Sequence, residues 1–296
     1  MYDIIIVGAG PAGLTAALYA GRANKKVLVL EKKTFGGQII NTPKIENYPG
    51  CPDVSGFDFA MNLYNQVTNL GIEVKIETVI EMDYPIVKTN KTFYEGKAII
   101  IATGVENRKL GFEAEEKFKG KGISYCATCD GHFYKNKVVA VVGGGNTALE
   151  DAIYLSNLAQ KVYLIHRRDT FRGEAKYIEE VKKKENIEIL YNSRVTNCMG
   201  EEHLQEIEIT DSEDVVTNIS VDGLFIAIGQ IPMNDILKEK ITLDEAGYIE
   251  SMDGVHTNVE KIYVAGDCRV KDLRQLTTAV ADGAMAATTA IKEMED

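Results

Sequence analysis

Two stretches of the chain share one pattern: a continuous apolar run, a glycine-rich turn, an alanine-rich segment and a second apolar run. Residues 2–31 and 137–166 align without a gap and are identical at 8 of 30 positions. Short apolar runs rich in β-branched residues are typical of buried parallel strands. The predicted strands are Ile4–Val7 and Val27–Leu30 in the first copy, and Val138–Val142 and Val162–Ile165 in the second. The pattern therefore predicts the same strand–helix–strand unit twice.

The glycines of each copy have separate mechanical roles. The first permits a tight turn, and the second lets the backbone approach a pyrophosphate, which the free N–H groups of the helix N-terminus stabilise. A small residue at the third position lets the helix pack closely on the strand. These positions are Gly8, Gly10 and Gly13 in the first copy and Gly143, Gly145 and Ala148 in the second. A glycine turn without a ligand is the alternative, but two copies in matching contexts favour two bound nucleotides.

The residues that end the second strands distinguish the two ligands. The first copy has Glu31, and an acidic residue there suits a ribose hydroxyl, as in FAD or NAD. The second copy has His166, Arg167 and Arg168, with Arg172 following. Guanidinium groups bind a 2′-phosphate, whereas an acid would repel it. A solvated basic turn is the alternative, and we favour FAD in the first copy and NADPH in the second.

Further apolar runs predict how the two copies are joined. The strands are expected at Ala98–Ile101, Leu224–Ile228 and Ile262–Ala265, and a final helix at Leu276–Met294. The simplest arrangement is an α/β fold with two Rossmann-like, three-layer domains, in which the NADPH domain is inserted into the FAD domain. The expected boundaries are 1–113 and 244–296 for the FAD domain and 114–243 for the NADPH domain.

Charge and composition narrow the class of protein. The formal net charge is -11, which argues against nonspecific binding to nucleic acid or to anionic membranes. Apolar runs are shorter than the roughly 20 residues that a membrane-spanning helix needs. The five scattered cysteines do not suggest a secreted disulfide framework. A cytoplasmic location is the default expectation.

One cysteine pair is close in sequence: Cys126 and Cys129, followed by Asp130. A Cys-x-x-Cys pair at a helix N-terminus can form a reactive disulfide, because the helix dipole lowers a thiol pKa. Asp130 is placed to exchange a proton with a leaving thiol. A zinc half-site that includes His132 and an inert surface pair are the alternatives. Haem attachment would need a histidine where Asp130 stands. We favour redox turnover at this pair, and we predict no metal site.

Several motifs together resemble one family. They are GAGPAG, GGQ with ENYPG, ATG, CATCDG, GGGNTA, HRRDTFR, DGLFIAIGQIP, and GDC with a later RQ. Across essentially the whole chain the sequence resembles the low-molecular-weight, bacterial-type thioredoxin reductases. The resemblance implies a homodimeric flavoprotein that passes electrons from NADPH through FAD to the Cys126–Cys129 disulfide. The reduced pair then exchanges with thioredoxin, with a rotation of the NADPH domain between the two half-reactions.

The resemblance also implies individual roles. Cys129 would face the flavin, Cys126 would attack the thioredoxin disulfide, and Asp130 would act as the acid. The residues expected to bind FAD are Gly8, Gly10, Pro11, Ala12, Gly13, Glu31, Gly37, Gln38, Asn47, Val79, Ala102, Thr103, Gly104, Gly266, Asp267, Arg274 and Gln275. The residues expected to bind NADPH are Gly143, Gly145, Asn146, Thr147, His166, Arg167, Arg168 and Arg172.

Other functions remain open at the level of sequence. Leu273 departs from the family pattern, which commonly has an aromatic residue there. Some relatives take electrons from ferredoxin, but they lack the nucleotide motifs that this chain retains. A nucleotide-sensing protein without catalysis is a second alternative. The acceptor is a third open point, because a glutaredoxin-like or peroxidase-linked carrier could replace thioredoxin.

Overall fold

The computed structural model describes residues 1–42, 44–51 and 53–295. These residues form two compact units: residues 1–106 with 231–296, and residues 107–230. The chain thus enters and leaves the second unit earlier than the boundaries expected from the sequence, because Phe112 packs against a core of the second unit, whereas Ile241 lies in a core of the first. Asn107 and Gln230, the terminal residues of the second unit, are joined by a side-chain hydrogen bond of 3.0 Å.

The first unit contains most of the early elements. They are β1 (Tyr2–Val7), α1 (Pro11–Arg22), β2 (Val27–Glu31), α2 (Gly56–Thr68), β3 (Glu73–Ile76), β4 (Val79–Asp83), β5 (Ile86–Thr89), β6 (Phe93–Ile101) and β7 (Val105–Asn107), whose last residue already belongs to the second unit. Five parallel strands lie in the order β3-β2-β1-β6, with the later strand β17 (Ile262–Val264) on β6, while β5 and β4 extend the sheet antiparallel from the start of β6.

The second unit and the return to the first complete the chain. The elements are α3 (Ala114–Phe118), β8 (Ile123–Ser124), α4 (Ala127–Asp130), β9 (Val138–Val142), α5 (Asn146–Ser156), β10 (Lys161–Ile165), α6 (Ala175–Lys183), β11 (Ile187–Leu190), β12 (Arg194–Met199), β13 (Glu206–Thr210), β14 (Val216–Ser220), β15 (Gly223–Ile226), β16 (Gln230–Pro232), β17 (Ile262–Val264) and α7 (Leu276–Glu295). A parallel sheet in the order β11-β10-β9-β15-β8 forms its centre, and β12, β13 and β14 form a separate antiparallel sheet.

Each unit has three layers because the buried strands alternate their side chains between two cores. In β1, Ile4 and Ile6 pack with residues of α1, α2 and α7, whereas Ile5 packs on the opposite face with residues of β4 and β5. In β9, Val139 and Val141 face α5 and α6, whereas Ala140 faces the antiparallel sheet. The predicted α/β class with two Rossmann-like domains is confirmed. No helix within the described residues is both long and apolar enough to cross a membrane.

Within the first unit, His256 bridges the end of α7 and the loop that contains Asp253. His256 Nδ1 lies 2.7 Å from Asp253 Oδ2, and its Nε2 lies 2.7 Å from Glu293 Oε1. The Tyr263 hydroxyl donates to the other Glu293 oxygen at 2.6 Å. The hydrogen bonds that the His256 ring donates to Glu293 and Asp253 raise the pKa of His256, while those from the His256 backbone and ring lower the pKa of Asp253 to about 2.

This bridge predicts a stability maximum at mildly acidic pH. Because folding raises the pKa of His256, its hydrogen bonds contribute fully to the free energy of unfolding below pH 6.5. This contribution is lost as the pH rises through the pKa of His256 in the folded state. Folding lowers the pKa values of Asp253 and Glu293, so these groups stabilise the folded state above pH 3.8 and pH 4.5, respectively. Their contributions to the free energy of unfolding are lost in stronger acid. We expect His256→Gln to remove about 0.5–1 kcal/mol of unfolding free energy near pH 5.5, and less at pH 8. Urea unfolding at both pH values measures this, with His203→Gln as control; an equal loss at both would contradict it.

Candidate active site

The first glycine turn leads from β1 into α1. Gly8 has φ +111°, and a Cβ built there would lie 2.2 Å from the Ala102 carbonyl oxygen. A Cβ on Gly13 would lie 1.9 Å from the Gly8 carbonyl oxygen. Gly10 is the N-cap of α1 and has no side-chain cap, and Pro11 follows at the first helical position. The turn therefore leaves N–H donors of the helix N-terminus available to an anionic ligand.

The backbone around this turn comes from the carboxyl ends of several strands. Glu31 ends β2 and accepts from the Ala9 N–H at 2.8 Å and from the Lys33 N–H at 2.9 Å. Gly37 approaches Gly10 so closely that a Cβ on Gly37 would lie 3.2 Å from the Gly10 Cα. Ligands of parallel sheets bind beyond these strand ends. The structure thus brings the predicted Glu31 and Gly37 beside the predicted glycine turn.

The segment after β6 reaches the same edge. The Ala102 N–H donates to the Val7 carbonyl at 2.8 Å, and the Thr103 hydroxyl donates to Asn234 Oδ1 at 2.9 Å. Gly104 follows with φ +66°. Asn234 was not predicted from the sequence: it is 1% exposed, and its amide also donates to the Gly247 and Cys268 carbonyls. It fixes the Ala102–Gly104 segment from a part of the chain that carries no motif.

After β17, Gly266 and Asp267 lie under the first turn. Gly266 has φ +83°, and a Cβ there would lie 2.8 Å from the Ala12 Cβ. The Oδ1 atom of Asp267 is buried and has no hydrogen-bond partner among the described residues. Burial raises the pKa of Asp267, and the nearby cations Lys271 and Arg274 oppose this. An unpartnered buried carboxylate oxygen suits a hydroxyl-rich ligand such as FAD.

The other predicted FAD residues have partners within the first unit. Asn47 donates to Gln275 Oε1 at 2.9 Å, and the Gln38 amide donates to the Val105 carbonyl. The Arg274 guanidinium lies 4.1 Å from the Tyr248 ring centroid and donates to the Asp267 carbonyl at 3.3 Å. Val79 begins β4, two residues after Glu77, whose N–H donates to the Glu31 carbonyl at 2.8 Å.

The second glycine turn leads from β9 into α5. Gly143 has φ +157°, and a Cβ there would lie 2.3 Å from the Ala227 carbonyl oxygen. Gly145 is the N-cap of α5, and a Cβ on it would meet no atom within 4 Å. Asn146 and Thr147 open the helix, and Asn146 exchanges hydrogen bonds of 2.8 Å with Glu174. The space at Gly145 leaves the helix N-terminus accessible to a pyrophosphate.

The basic segment after β10 divides into a buried and an exposed part. His166 is 5% exposed, its Nε2 lies 3.0 Å from the Thr170 carbonyl oxygen, and a Cβ on Gly144 would lie 2.2 Å from its ring. Burial lowers its pKa, which favours the neutral ring. The structure therefore gives His166 a packing contact under the turn. The other three basic side chains are exposed and make no ion pair with a described residue: Arg167, Arg168 and Arg172.

The cysteine pair is a disulfide in the structure. Cys126 and Cys129 are bonded across the first turn of α4, with Cys126 as the N-cap. Both side chains are half-buried, and Thr128 between them is exposed. No group of three or more His, Cys, Asp or Glu side chains in the described ranges is arranged to hold a metal ion. The arrangement is that of a redox disulfide at the start of a helix.

Asp130 lies at the end of this turn. Its Oδ2 accepts from the Ser124 hydroxyl at 2.6 Å, and its Oδ1 is buried without a partner among the described residues. Burial raises the pKa of Asp130, and the Ser124 hydrogen bond opposes the shift. The residue before the pair is also anchored, because the Tyr125 hydroxyl donates to the buried Glu115 at 2.5 Å. Neither Ser124 nor Glu115 belongs to a motif that sequence analysis would single out.

The remaining cysteines lie apart from this disulfide. Cys198 and Cys268 are buried free thiols, and Cys51 is half-buried. Burial raises the pKa of Cys198 to about 12 and also raises that of Cys268. Because a thiolate is the reactive form, these two buried thiols are unreactive near neutral pH. Redox chemistry within the described residues therefore centres on the Cys126–Cys129 pair.

Comparisons with known proteins identify the family of the chain. A family model described as pyridine nucleotide-disulphide oxidoreductase matches residues 2–283. The chain is 43% identical to a thioredoxin reductase of Mycoplasma genitalium, over 97% of this chain and 93% of that protein. A thioredoxin reductase structure from Streptococcus pyogenes superposes with a TM-score of 0.94 at 39% identity, covering 100% of this chain and 98% of that one.

A further solved structure matches at similar identity but superposes less well. The Lactococcus lactis thioredoxin reductase in its "FR conformation" has a TM-score of 0.66 at 38% identity, with coverage of 99% and 98%. The family model spans nearly the whole chain, and the relatives are well above 30% identical over most of their length. This chain belongs to the pyridine nucleotide-disulphide oxidoreductase family and, within it, to the thioredoxin reductases.

Proposed function

We propose that this protein is a thioredoxin-disulfide reductase that uses NADPH and FAD. The observation that carries the proposal is the Cys126–Cys129 disulfide at the start of α4, in the same unit as the second glycine turn. The first unit contains the other glycine turn, which Glu31 at the end of β2 contacts through a hydrogen bond. The relatives named thioredoxin reductase support thioredoxin as the acceptor.

The two units are proposed to hold different nucleotides. When bound, NADPH supplies a hydride and FAD relays its electron pair to the disulfide. The first unit would hold FAD through the predicted residues around Gly8, Glu31 and Asp267, whose unpartnered carboxylate oxygen fits a hydroxyl donor. The second unit would hold NADPH at the Gly143 turn, with the exposed arginines around its 2′-phosphate. His166 would then act mainly by supporting that turn.

The roles proposed for the redox residues come from the family resemblance. Reduction breaks the S–S bond, and each sulfur gains a proton. We assign Cys129 to the flavin and Cys126, the N-cap of α4, to attack on the thioredoxin disulfide. Asp130 is proposed as the proton donor to the leaving thiolate. Its burial favours the protonated form that this role requires.

This role predicts a large effect of Asp130→Asn. We expect the kcat for thioredoxin reduction to fall about 10²-fold, because a positioned acid contributes at least that much. In the wild type the rate should decline as the pH rises through the raised pKa of Asp130, since the protonated form is then lost. The variant should lack this decline. A steady-state pH profile measures both effects, with Asp214→Asn, in an exposed turn, as control; a variant profile that still declines would exclude Asp130.

A change in the orientation of the two units is part of the proposal. The proposed NADPH site and the disulfide both lie in the second unit, so the nicotinamide and the disulfide would both have to reach one flavin held by the first. A rotation lets each reach the flavin in turn, and lets Cys126 meet a large protein substrate. Solved relatives of 39% and 38% identity superpose with TM-scores of 0.94 and 0.66, which is expected if two rigid units adopt different orientations in that family.

The remaining features of the proposal come from the resemblance. A homodimer is proposed because the resembling family works as one, and a cytoplasmic location because the three other cysteines are free thiols.

The proposed function is tested by NADPH oxidation with the FAD-loaded protein and oxidised thioredoxin. We expect NADPH consumption that depends on thioredoxin and yields an equimolar amount of thioredoxin dithiol. Consumption that thioredoxin does not affect would overturn the proposal.

A further inference from the structure

A buried serine connects the acid to the backbone of the redox pair. Ser124 is 5% exposed and is held in β8 by pairing with Phe225 of β15. Its hydroxyl oxygen lies 2.6 Å from Asp130 Oδ2 and accepts from the Cys126 N–H at 3.1 Å. The Cys126 carbonyl oxygen lies 3.4 Å away as a second acceptor. One fixed hydroxyl therefore contacts both the carboxyl group and the first cysteine of the disulfide.

We propose that Ser124 is a positioning residue for proton transfer at the redox pair, whose hydroxyl holds Asp130 in both of its protonation states. This inference rests on the proposed function, because it assigns Asp130 the role of acid in disulfide reduction. Ser124 itself touches neither the cofactor nor the substrate in this account. It acts through Asp130.

The hydrogen-bond geometry explains how one hydroxyl serves both states. The Cys126 N–H occupies one lone pair of the serine oxygen, and the hydroxyl hydrogen is free to turn. When Asp130 is ionised, the hydroxyl donates to Oδ2. When Asp130 is protonated on Oδ2, the acid donates to the serine oxygen, and the serine hydrogen turns to the Cys126 carbonyl. Asp130 can thus lose and regain a proton while the heavy atoms stay in place.

The surroundings make this hydrogen bond important. The other carboxyl oxygen, Oδ1, is buried and has no partner in the part of the chain that the structure describes. Tyr134 is the titratable neighbour from the turn after α4; burial raises its pKa to about 12, and Asp130 adds to the shift. On the α5 side, Tyr154 packs where a Cβ on Gly131 would lie. Burial raises the pKa of Asp130, and the Ser124 hydrogen bond opposes that shift.

The chemical step is balanced without a further reactant. When bound, reduced FAD would supply the electron pair that breaks the Cys126–Cys129 bond, together with one of the two protons that turn both sulfurs into thiols. Asp130 would deliver the other proton to the sulfur that leaves as a thiolate, and would be reprotonated from solvent. Ser124 sets the pH range over which Asp130 can give up its proton and take it back.

The experiment is a carboxyl titration that needs no catalysis. In oxidised, FAD-loaded protein labelled with ¹³C at aspartate carboxyls, the Asp130 signal is assigned by its loss in Asp130→Asn. In Ser124→Ala the Asp130 midpoint should rise by about one pH unit, since a hydrogen bond to a charged group is worth about that much. Ser124→Thr keeps a hydroxyl and should restore the midpoint. Ser193→Ala removes another buried hydroxyl of the same unit and should leave it unchanged.

The pH dependence of thioredoxin reduction provides a second test of the role of Ser124. The alkaline decline of thioredoxin reduction should move to higher pH in Ser124→Ala together with the midpoint. In an Asp130→Asn background the serine substitution should change the rate less than about twofold, because the two residues act as one unit. An unmoved Asp130 midpoint, or an equal loss of rate in both backgrounds, would overturn the inference. Failure of the wild type to reduce thioredoxin would instead overturn the proposed function, and the carboxyl titration distinguishes the two.

Discussion

Cys126→Ser is expected to abolish thioredoxin reduction, by about 10⁴-fold or more, while NADPH still reduces the bound flavin. A serine oxygen cannot form a mixed disulfide with thioredoxin, so exchange stops at its first step. The flavin is reached before the disulfide in the proposed sequence, and its reduction by NADPH does not require Cys126. Anaerobic stopped-flow absorbance measures flavin reduction, and insulin precipitation coupled to thioredoxin measures turnover.

The matched control for this variant is Cys51→Ser. Cys51 is a half-buried free thiol of the first unit, apart from the redox disulfide. We expect its substitution to change either rate less than about twofold. Two results would contradict the account: thioredoxin turnover that persists in Cys126→Ser, or flavin that NADPH no longer reduces in that variant. The first would show that thioredoxin is reduced by a route that does not need Cys126, and the second would place Cys126 in hydride transfer.

The second large effect concerns the choice of nucleotide. We expect the double variant Arg167→Ala, Arg168→Ala to lose about 10³-fold in kcat/KM for NADPH. Each exposed guanidinium would form charge-assisted hydrogen bonds to the 2′-phosphate, and loss of about 4 kcal/mol corresponds to this factor. NADH lacks that phosphate, so its kcat/KM should change less than about threefold. Steady-state kinetics with both nucleotides measure the change in preference.

A variant with the same change of charge controls for electrostatics at long range. Lys182 and Lys183 lie in the last turn of α6, in the same unit. Replacing both with alanine also removes two positive charges but should leave the preference for NADPH intact. Equal losses for NADPH and NADH in the arginine variant would show that these residues support the fold of the loop. Such a result would leave the identity of the phosphate-binding residues open.

Much of the fold was predictable because the central strands are buried on both faces. The runs Ile4–Val7 and Val138–Val142 lie within β1 and β9, and the predicted final helix begins at Leu276 as observed. The antiparallel strands β12, β13 and β14 were not predicted. Only β13 alternates buried apolar residues, such as Ile207, with polar ones, and the identity of the three strands depends on packing against the central sheet.

The candidate site was predictable only where local sequence determines it. Glycine turns and a Cys-x-x-Cys pair are local patterns, because steric limits and short loop closure act on neighbouring residues. Asn234 contacts Thr103 across 131 positions of the chain, and such a contact has no local signature. His166 shows the opposite difficulty: a basic residue next to two arginines suggests a ligand-binding group, yet the fold buries its ring beneath the glycine turn.

The most direct test is an anaerobic titration of the FAD-loaded protein with NADPH, followed by alkylation and mass spectrometry of each cysteine. We expect the flavin to be reduced and Cys126 and Cys129 to become alkylated together, while an excess of oxidised thioredoxin added before alkylation returns them to a disulfide. If the flavin is bleached but this pair stays closed, or if the pair opens without any change in the flavin, electrons do not follow the proposed route.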